Sequence, residues 1–201
     1  MVVQHNLQAS NTNRMLGQNV KAVGKSSEKL ASGYQINRAA DDAAGLSISE
    51  KMRNQIRGIN QSVDNAEDGI SLIQTAEGNL NEMHSILQRM GELATKAAND
   101  VNETEDRTTI SDEIGQLNTE LNSIATKAKY NGKSLSSFSG YLQVGANSGD
   151  NMHISVAVTV TVATTTVDTH ANASTTITSV TNAIKSVSSQ RSKLGAVQNR
   201  L

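Results

Sequence analysis

The chain has no cysteine, no proline and no tryptophan, and its 201 residues include one Phe and three Tyr. Without Cys, disulfides, thiolate catalysis and Cys-based zinc sites are excluded together. Without proline, nothing breaks a long helix by removing a backbone donor. The shortage of aromatic side chains leaves little to fill a round core. Charge of one sign is lacking too: 18 basic residues meet 19 acidic ones, so no overall field draws the chain to nucleic acid or to an anionic membrane. No apolar run is long enough to span a bilayer, and the start of the chain has neither the basic nor the apolar region of a cleaved secretory signal. What remains, rich in Ala, Ser, Asn, Gln, Glu and Leu, suits uninterrupted helices packed through thin aliphatic seams. The expected fold is mainly α, an elongated antiparallel helical bundle or coiled-coil rod with a small β-hairpin.

Apolar spacing places the helices. After Asp42 the series Met52, Ile56, Ile59, Val63, Ala66, Ile70, Ile73, Ala76, Leu80, Met83, Leu87, Met90, Leu93/Ala94, Ala97 alternates steps of three and four. One doubled three, at Ile70-Ile73-Ala76, is a stammer in the heptad seam. Roughly 57 residues of helix would measure about 85 Å. A second seam, Ile110, Ile114, Leu117, Leu121, Ile124 and Ala128, ends at the turn signal Tyr130-Asn131-Gly132. The polar stretch from Asn99 to Thr104 predicts that these two helices fold back antiparallel. A third helix carries Val180, Ile184, Val187, Leu194, Val197 and Leu201 with Arg191 in one seam slot, and its pattern runs to the last residue. The first 31 residues bear a looser stripe, Leu7, Met15, Leu16, Val20, Val23 and Leu30, ending at Ser32-Gly33; its apolar face needs a partner.

Between the second and third seams, Tyr141–Val144 and the alternating Ile154, Val156, Val158, Val160 and Val162 read as two strands joined by Asn147-Ser148-Gly149-Asp150. The Thr/Val run from Thr159 to Val167 is nearly low-complexity, so its register is weakly specified.

No residue constellation points to catalysis, a cofactor or a metal. His5, His84, His153 and His170 fall on different elements, without a second His or a carboxylate at metal-binding spacing. The glycines from Gly140 to Gly149 lead to a strand and not to a helix N-terminus, and no serine sits in a nucleophile elbow. Asp41-Asp42 reads as one residue capping the long helix and the other complementing its dipole. Arg89, Glu92 and Lys96 read, as a bare charge pattern, as a solvated helix face. Gly69, Gly78 and Gly91 inside the long helix each cost about 1 kcal/mol relative to Ala; close packing against a neighbour and simple drift both remain open for them.

The stretch Leu30-Ala31-Ser32-Gly33-Tyr34-Gln35-Ile36-Asn37-Arg38-Ala39-Ala40-Asp41-Asp42-Ala43-Ala44-Gly45-Leu46 resembles the most recognisable motif of the bacterial flagellins. Ile59-Asn60-Gln61, Asn65 through Ser71, Thr75 through Leu80, Gln143-Val144-Gly145-Ala146-Asn147 and Arg191 through Leu201 are similar to further motifs of that family, in order. The resemblance implies a structural subunit of the flagellar filament. Its implied partners are other flagellin subunits and the flagellar type III export apparatus, and its location is extracellular, on the flagellum, without a cleaved signal. A hook-filament junction protein of the same core plan is the alternative. The implied divisions are 1–40, an inner-tube helix and export region; 41–137, a helical core; 138–172, the β-hairpin and a shortened variable segment; and 173–201, a C-terminal helix. The family's usual further C-terminal helix does not follow Leu201, and a short Thr/Val segment stands where its variable outer domains are expected.

The family also carries a surface read by Toll-like receptor 5, an innate immune receptor. Gln88, Arg89, Glu92 and Leu93 are similar to the receptor-binding pattern on the long helix, while Met90-Gly91 departs from the commoner residues there. Glu113, within Asp112-Glu113-Ile114, resembles the acidic contact on the neighbouring helix. The resemblance implies a central Arg fork with Leu93 as an apolar anchor beside it.

Overall fold

The computed structural model describes residues 6–163 and 165–201. Residues 1–5, which hold His5 and the start of the expected export region, lie outside the described residues, as does Thr164 of the Thr/Val run. Two compact units divide the chain between Arg57 and Gly58.

In the first unit, helix α1 spans Leu7–Ser32. The Asn6 side chain accepts from the Ala9 N–H at 3.1 Å, which satisfies one of the free donors of the first turn. Gly33 stops the helix at φ 71°, returning its N–H to Lys29 O. No residue of α1 is buried. Its stripe of Leu7, Met15, Leu16, Val20, Val23 and Leu30 is 56–88% exposed, as a helix lacking a partner for its apolar face would be. The segment after Gly33 is tied back to α1 by Arg38 to Glu28 at 3.0 Å and Lys25 to Asp41 at 3.5 Å.

Helix α2 spans Ala43–Ala97, 55 residues. Asp42 caps it, accepting from the Gly45 N–H at 2.9 Å. Asp42 takes the capping half of the expected pair, while Asp41 forms an ion pair with Lys25 of α1 at 3.5 Å.

The second unit packs α2 from Gly58 onward against helices α3, Thr104–Lys127, and α4, His170–Gln198. Arg89 meets Glu113, and Arg107 meets Asn99 and Asp100, so α3 returns antiparallel to α2. Ala98 O accepts from His170, Glu77 pairs with Arg191, and Gly69 faces Leu201, so α4 is antiparallel to α2 as well. From Ile73 to Ala97 the buried residues of α2 are the expected seam. Before it, Met52, Ile56, Ile59 and Val63 are 53–57% exposed, a correction to the seam as read from spacing. The reason is the reach of the covering helices. Contacts of α4 extend to Gly69, and before that, within the second unit, α2 meets the end of a hairpin through Asn65 to Gln143 O at 3.0 Å and the close approach of Gly58 to Ala146.

Strands β1, Lys129–Tyr130, and β2, Lys133–Ser134, form a short hairpin around the expected turn at Tyr130-Asn131-Gly132. Its two-residue turn has Asn131 at φ 46° and Gly132 at φ 77°, the positive pair that a type I′ turn requires. Strands β3, Phe138–Gln143, and β4, Asn151–Val156, form the expected hairpin, pairing Phe138 with Val156 and Gln143 with Asn151. The second strand is shorter than expected. Val158 to Val162 lie beyond the Phe138 end of β3, so they have no ladder, although their valines are buried. The start of α4 also needs correction: Thr169 accepts from the Asn172 N–H at 3.2 Å and opens the helix at His170, ahead of the expected boundary at 173. At the other end α4 closes at Gln198, with the Asn199 N–H bonded to Gly195 O, and Leu201 is no longer helical.

Candidate functional site

Arg89, Glu92, Leu93 and Lys96 follow one another at steps of three, one and three, which puts them on one face of α2. Helix α3 brings Asp106, Thr109, Ile110 and Glu113 opposite, the turn before it adds Asn102, and the two sides line an open groove of about 490 Å³. Arg89 and Glu113 close the end of the groove away from the turn that joins α2 to α3. Arg89 Nη2 and Nε donate to Glu113 Oε1 at 2.9 and 3.2 Å, and its Nη1 donates to Glu92 Oε2 at 3.4 Å. The bond to Glu113 holds the guanidinium still more firmly in its charged form, with Glu92 adding less. About half of the Arg89 side chain, 52%, remains open to solvent.

Of the five residues singled out, four converge here: Arg89, Glu92, Leu93 and Glu113. Gln88 does not. It turns to the next face, where its amide lies 3.2 Å from His84 Nε2. Leu93 is 4% exposed, so it does not protrude as an apolar anchor; with Ile110 it forms the apolar floor of the groove. The arrival of α3 is what covers it. Met90 is buried in the core, and Gly91 faces Val180 of α4, where a β-carbon would sit at an ordinary 3.6 Å. The two departures from the commoner pattern therefore point away from the groove.

Lys96, Asp106 and Asn102 complete the groove and were not in the receptor-binding set. Lys96 carried a signal, being four residues after Glu92 on the same face. Asn102 carried none: its amide reaches Lys96 O at 2.6 Å only because the turn folds as it does. With two cations and three carboxylates around the apolar floor of Leu93 and Ile110, the groove can hydrogen-bond and pair charge with a protein surface. Among the described residues no group of three His, Asp or Glu side chains is placed to hold a metal ion.

The second unit is an antiparallel helical fold that carries a charged groove over the apolar floor of Leu93 and Ile110. Residues 3–142 match the profile of the bacterial flagellin N-terminal helical region. The chain is 46% identical to the flagellin of Halalkalibacterium halodurans, with all of this chain and 77% of that protein aligned. It is 41% identical to the flagellin of Bacillus subtilis, again over its full length and over 80% of the relative. That second match extends over 246 positions, so the relative carries residues within the aligned span that this chain lacks. The crystal structure of Bacillus cereus flagellin is similar at a TM-score of 0.62 and 31% identity, covering 67% of this chain and 82% of that one. The chain belongs to the bacterial flagellin family, whose members are structural subunits of the flagellar filament.

Proposed function

We propose that this flagellin passes through the flagellar type III export apparatus, polymerises with other flagellin subunits outside the cell, and offers the groove around Arg89 to Toll-like receptor 5. In this reading residues 1–40 are the inner-tube helix and export region, and the helices from 41 onward form the core. The absence of Cys and Pro supports export of an unfolded chain, because disulfide formation and prolyl isomerisation, two slow steps on arrival, are removed.

The observation that carries the receptor reading is the Arg89 cluster. A half-exposed guanidinium, held in place by Glu113 and weakly by Glu92, keeps donors free for acceptors on a partner. The pair with Glu113 fixes the fork before binding, which lowers the entropy lost on association. Leu93 supports the helix surface from below. The test is the affinity for the purified receptor ectodomain: Arg89→Ala is expected to weaken it by roughly thirtyfold, the loss of a central Arg hot spot. Unchanged affinity would remove Arg89 from the interface.

A further inference from the structure

The turn between β1 and β2 holds the one Asn-Gly pair of the chain, Asn131-Gly132. Both residues are exposed, and among the described residues the Asn131 side chain makes no hydrogen bond. Gly132 adds no side chain, and nothing lies within 4 Å of the point where one would begin. Its N–H stays outside the ladder, which pairs Tyr130 with Lys133 and Lys129 with Ser134. A side-chain amide carbon and an unshielded backbone nitrogen thus stand side by side in the chain.

Ring closure between them also needs the right turn. A five-membered imide across residues 131 and 132 holds ψ of residue 131 at about −120°, which together with a positive φ is the first central position of a type II′ turn. Asn131 already has that φ: at 46° it is the one non-glycine residue at positive φ among the described residues. Types I′ and II′ both close two-residue hairpins. Flipping the peptide between Asn131 and Gly132 therefore reaches the reactive turn while the strands keep their register. Gly132 leaves its φ of 77° for a negative one, a change that glycine makes at little cost.

We propose that Asn131 deamidates spontaneously in the folded chain. The Gly132 nitrogen, losing its proton to solvent base, attacks Asn131 Cγ; the new C–N bond closes a succinimide, and the Cγ–Nδ2 bond breaks to release ammonia. Water then opens the ring. Addition at Cγ breaks its bond to the Gly132 nitrogen and gives aspartate. Addition at the main-chain carbonyl carbon breaks the original peptide bond and leaves isoaspartate, with the main chain rerouted through Cβ and Cγ. Both products carry a new carboxylate. Isoaspartate also lengthens the turn by one main-chain atom, so it no longer fits the pairing of Tyr130 with Lys133. Older chains are marked in this way at the end of α3 away from the groove.

Two other asparagines serve as internal comparisons, because the fold holds their side chains. Asn147, before Ser148, donates through Nδ2 to Asp150 Oδ2 at 2.9 Å, and its N–H reaches the same oxygen at 3.1 Å. Asn99, before Asp100, accepts at Oδ1 from the Val101 N–H at 3.3 Å. The full chain is warmed in mildly alkaline buffer, folded and in guanidinium, and peptide mapping by mass spectrometry follows each asparagine, with isoaspartate counted by enzymatic methyl transfer. In the folded chain Asn131 is expected to convert several-fold faster than Asn99 and Asn147, at a rate close to its own in guanidinium. Asn131→Gly keeps the turn, since glycine accepts a positive φ, and is expected to remove most of the isoaspartate. Conversion of Asn131 in guanidinium alone, equal conversion of the three asparagines in the folded chain, or isoaspartate that persists in Asn131→Gly would each overturn the proposal.

Discussion

Gly58 of α2 lies directly against Ala146 in the turn after β3: a β-carbon at position 58 would fall 2.8 Å from the Ala146 Cβ and 3.2 Å from its Cα. Backbone, not a side-chain tip, would have to move. Gly58→Ala is therefore expected to destabilise the second unit by about 1–2 kcal/mol, overpacking outweighing the gain in helix propensity. Gly78 has nothing within 4 Å of the corresponding point, and Gly78→Ala is expected to stabilise by about 1 kcal/mol. Denaturant unfolding of the two variants checks the pair. The choice between close packing and drift that spacing left open for Gly69, Gly78 and Gly91 thus separates by position: Gly69 is crowded by Leu142, Gly78 is not crowded, and Gly91 is in ordinary contact.

The acidic pair before α2 divides unequally. Asp42→Ala removes the bond to the Gly45 N–H and is expected to cost about 1 kcal/mol of helix stability. Asp41→Ala removes an ion pair whose Lys25 side chain is 71% exposed, worth about 0.5 kcal/mol or less. Hydrogen exchange of the first-turn amides of α2 is the direct readout, with acceleration expected for Asp42→Ala and little change for Asp41→Ala.

Arg107 locks the turn between α2 and α3. Its side chain is 13% exposed, and its Nη2 donates to Asn99 O at 3.2 Å and to Asp100 Oδ1 at 2.9 Å. Arg107→Met keeps the stem and loses both bonds, and is expected to cost about 1–3 kcal/mol. Thermal unfolding gives the size; unaltered stability would show that the turn holds without the clamp.

Asp168 supplies the pH dependence at the start of α4. The Asn172 amide, 2.7 Å away, is the main cause holding its carboxyl below the usual carboxylate range, with its own and the Thr169 N–H assisting. A depressed carboxyl favours the folded state above its unfolded pKa and loses that contribution as pH falls through the folded value. The first turn of α4 is expected to fray at acid pH, and Asn172→Ala to move the Asp168 titration back up. A carbon-detected NMR titration of the carboxyl measures both.

Much of this fold was readable from spacing, because thin seams record which residues face a neighbour. The α2 seam from Ile73 to Ala97 and the Ser32-Gly33 stop are of this kind. The exposure of Ile56, Ile59 and Val63 was not, since an apolar stripe reports a face able to pack and says nothing of how far the partner helix reaches. Asn131-Gly132 announced its turn, but strands of two residues on either side are too short to leave a period of their own. At the candidate site, Arg89 and Glu113 were legible through family resemblance and Lys96 through periodicity. The burial of Leu93 depends on where α3 returns, which no local pattern encodes; Gln88, one residue before Arg89 and in contact with His84 of its own helix, leaves the groove by helix periodicity alone.

The most direct measurement of the central claim is the affinity of the full chain for the purified Toll-like receptor 5 ectodomain, with Arg89→Ala and Gly78→Ala in parallel. The account predicts tight binding, a large loss in Arg89→Ala and none in Gly78→Ala. Absence of binding by a chain that is demonstrably folded, or equal binding by all three, would contradict the assignment of the groove as the recognition surface.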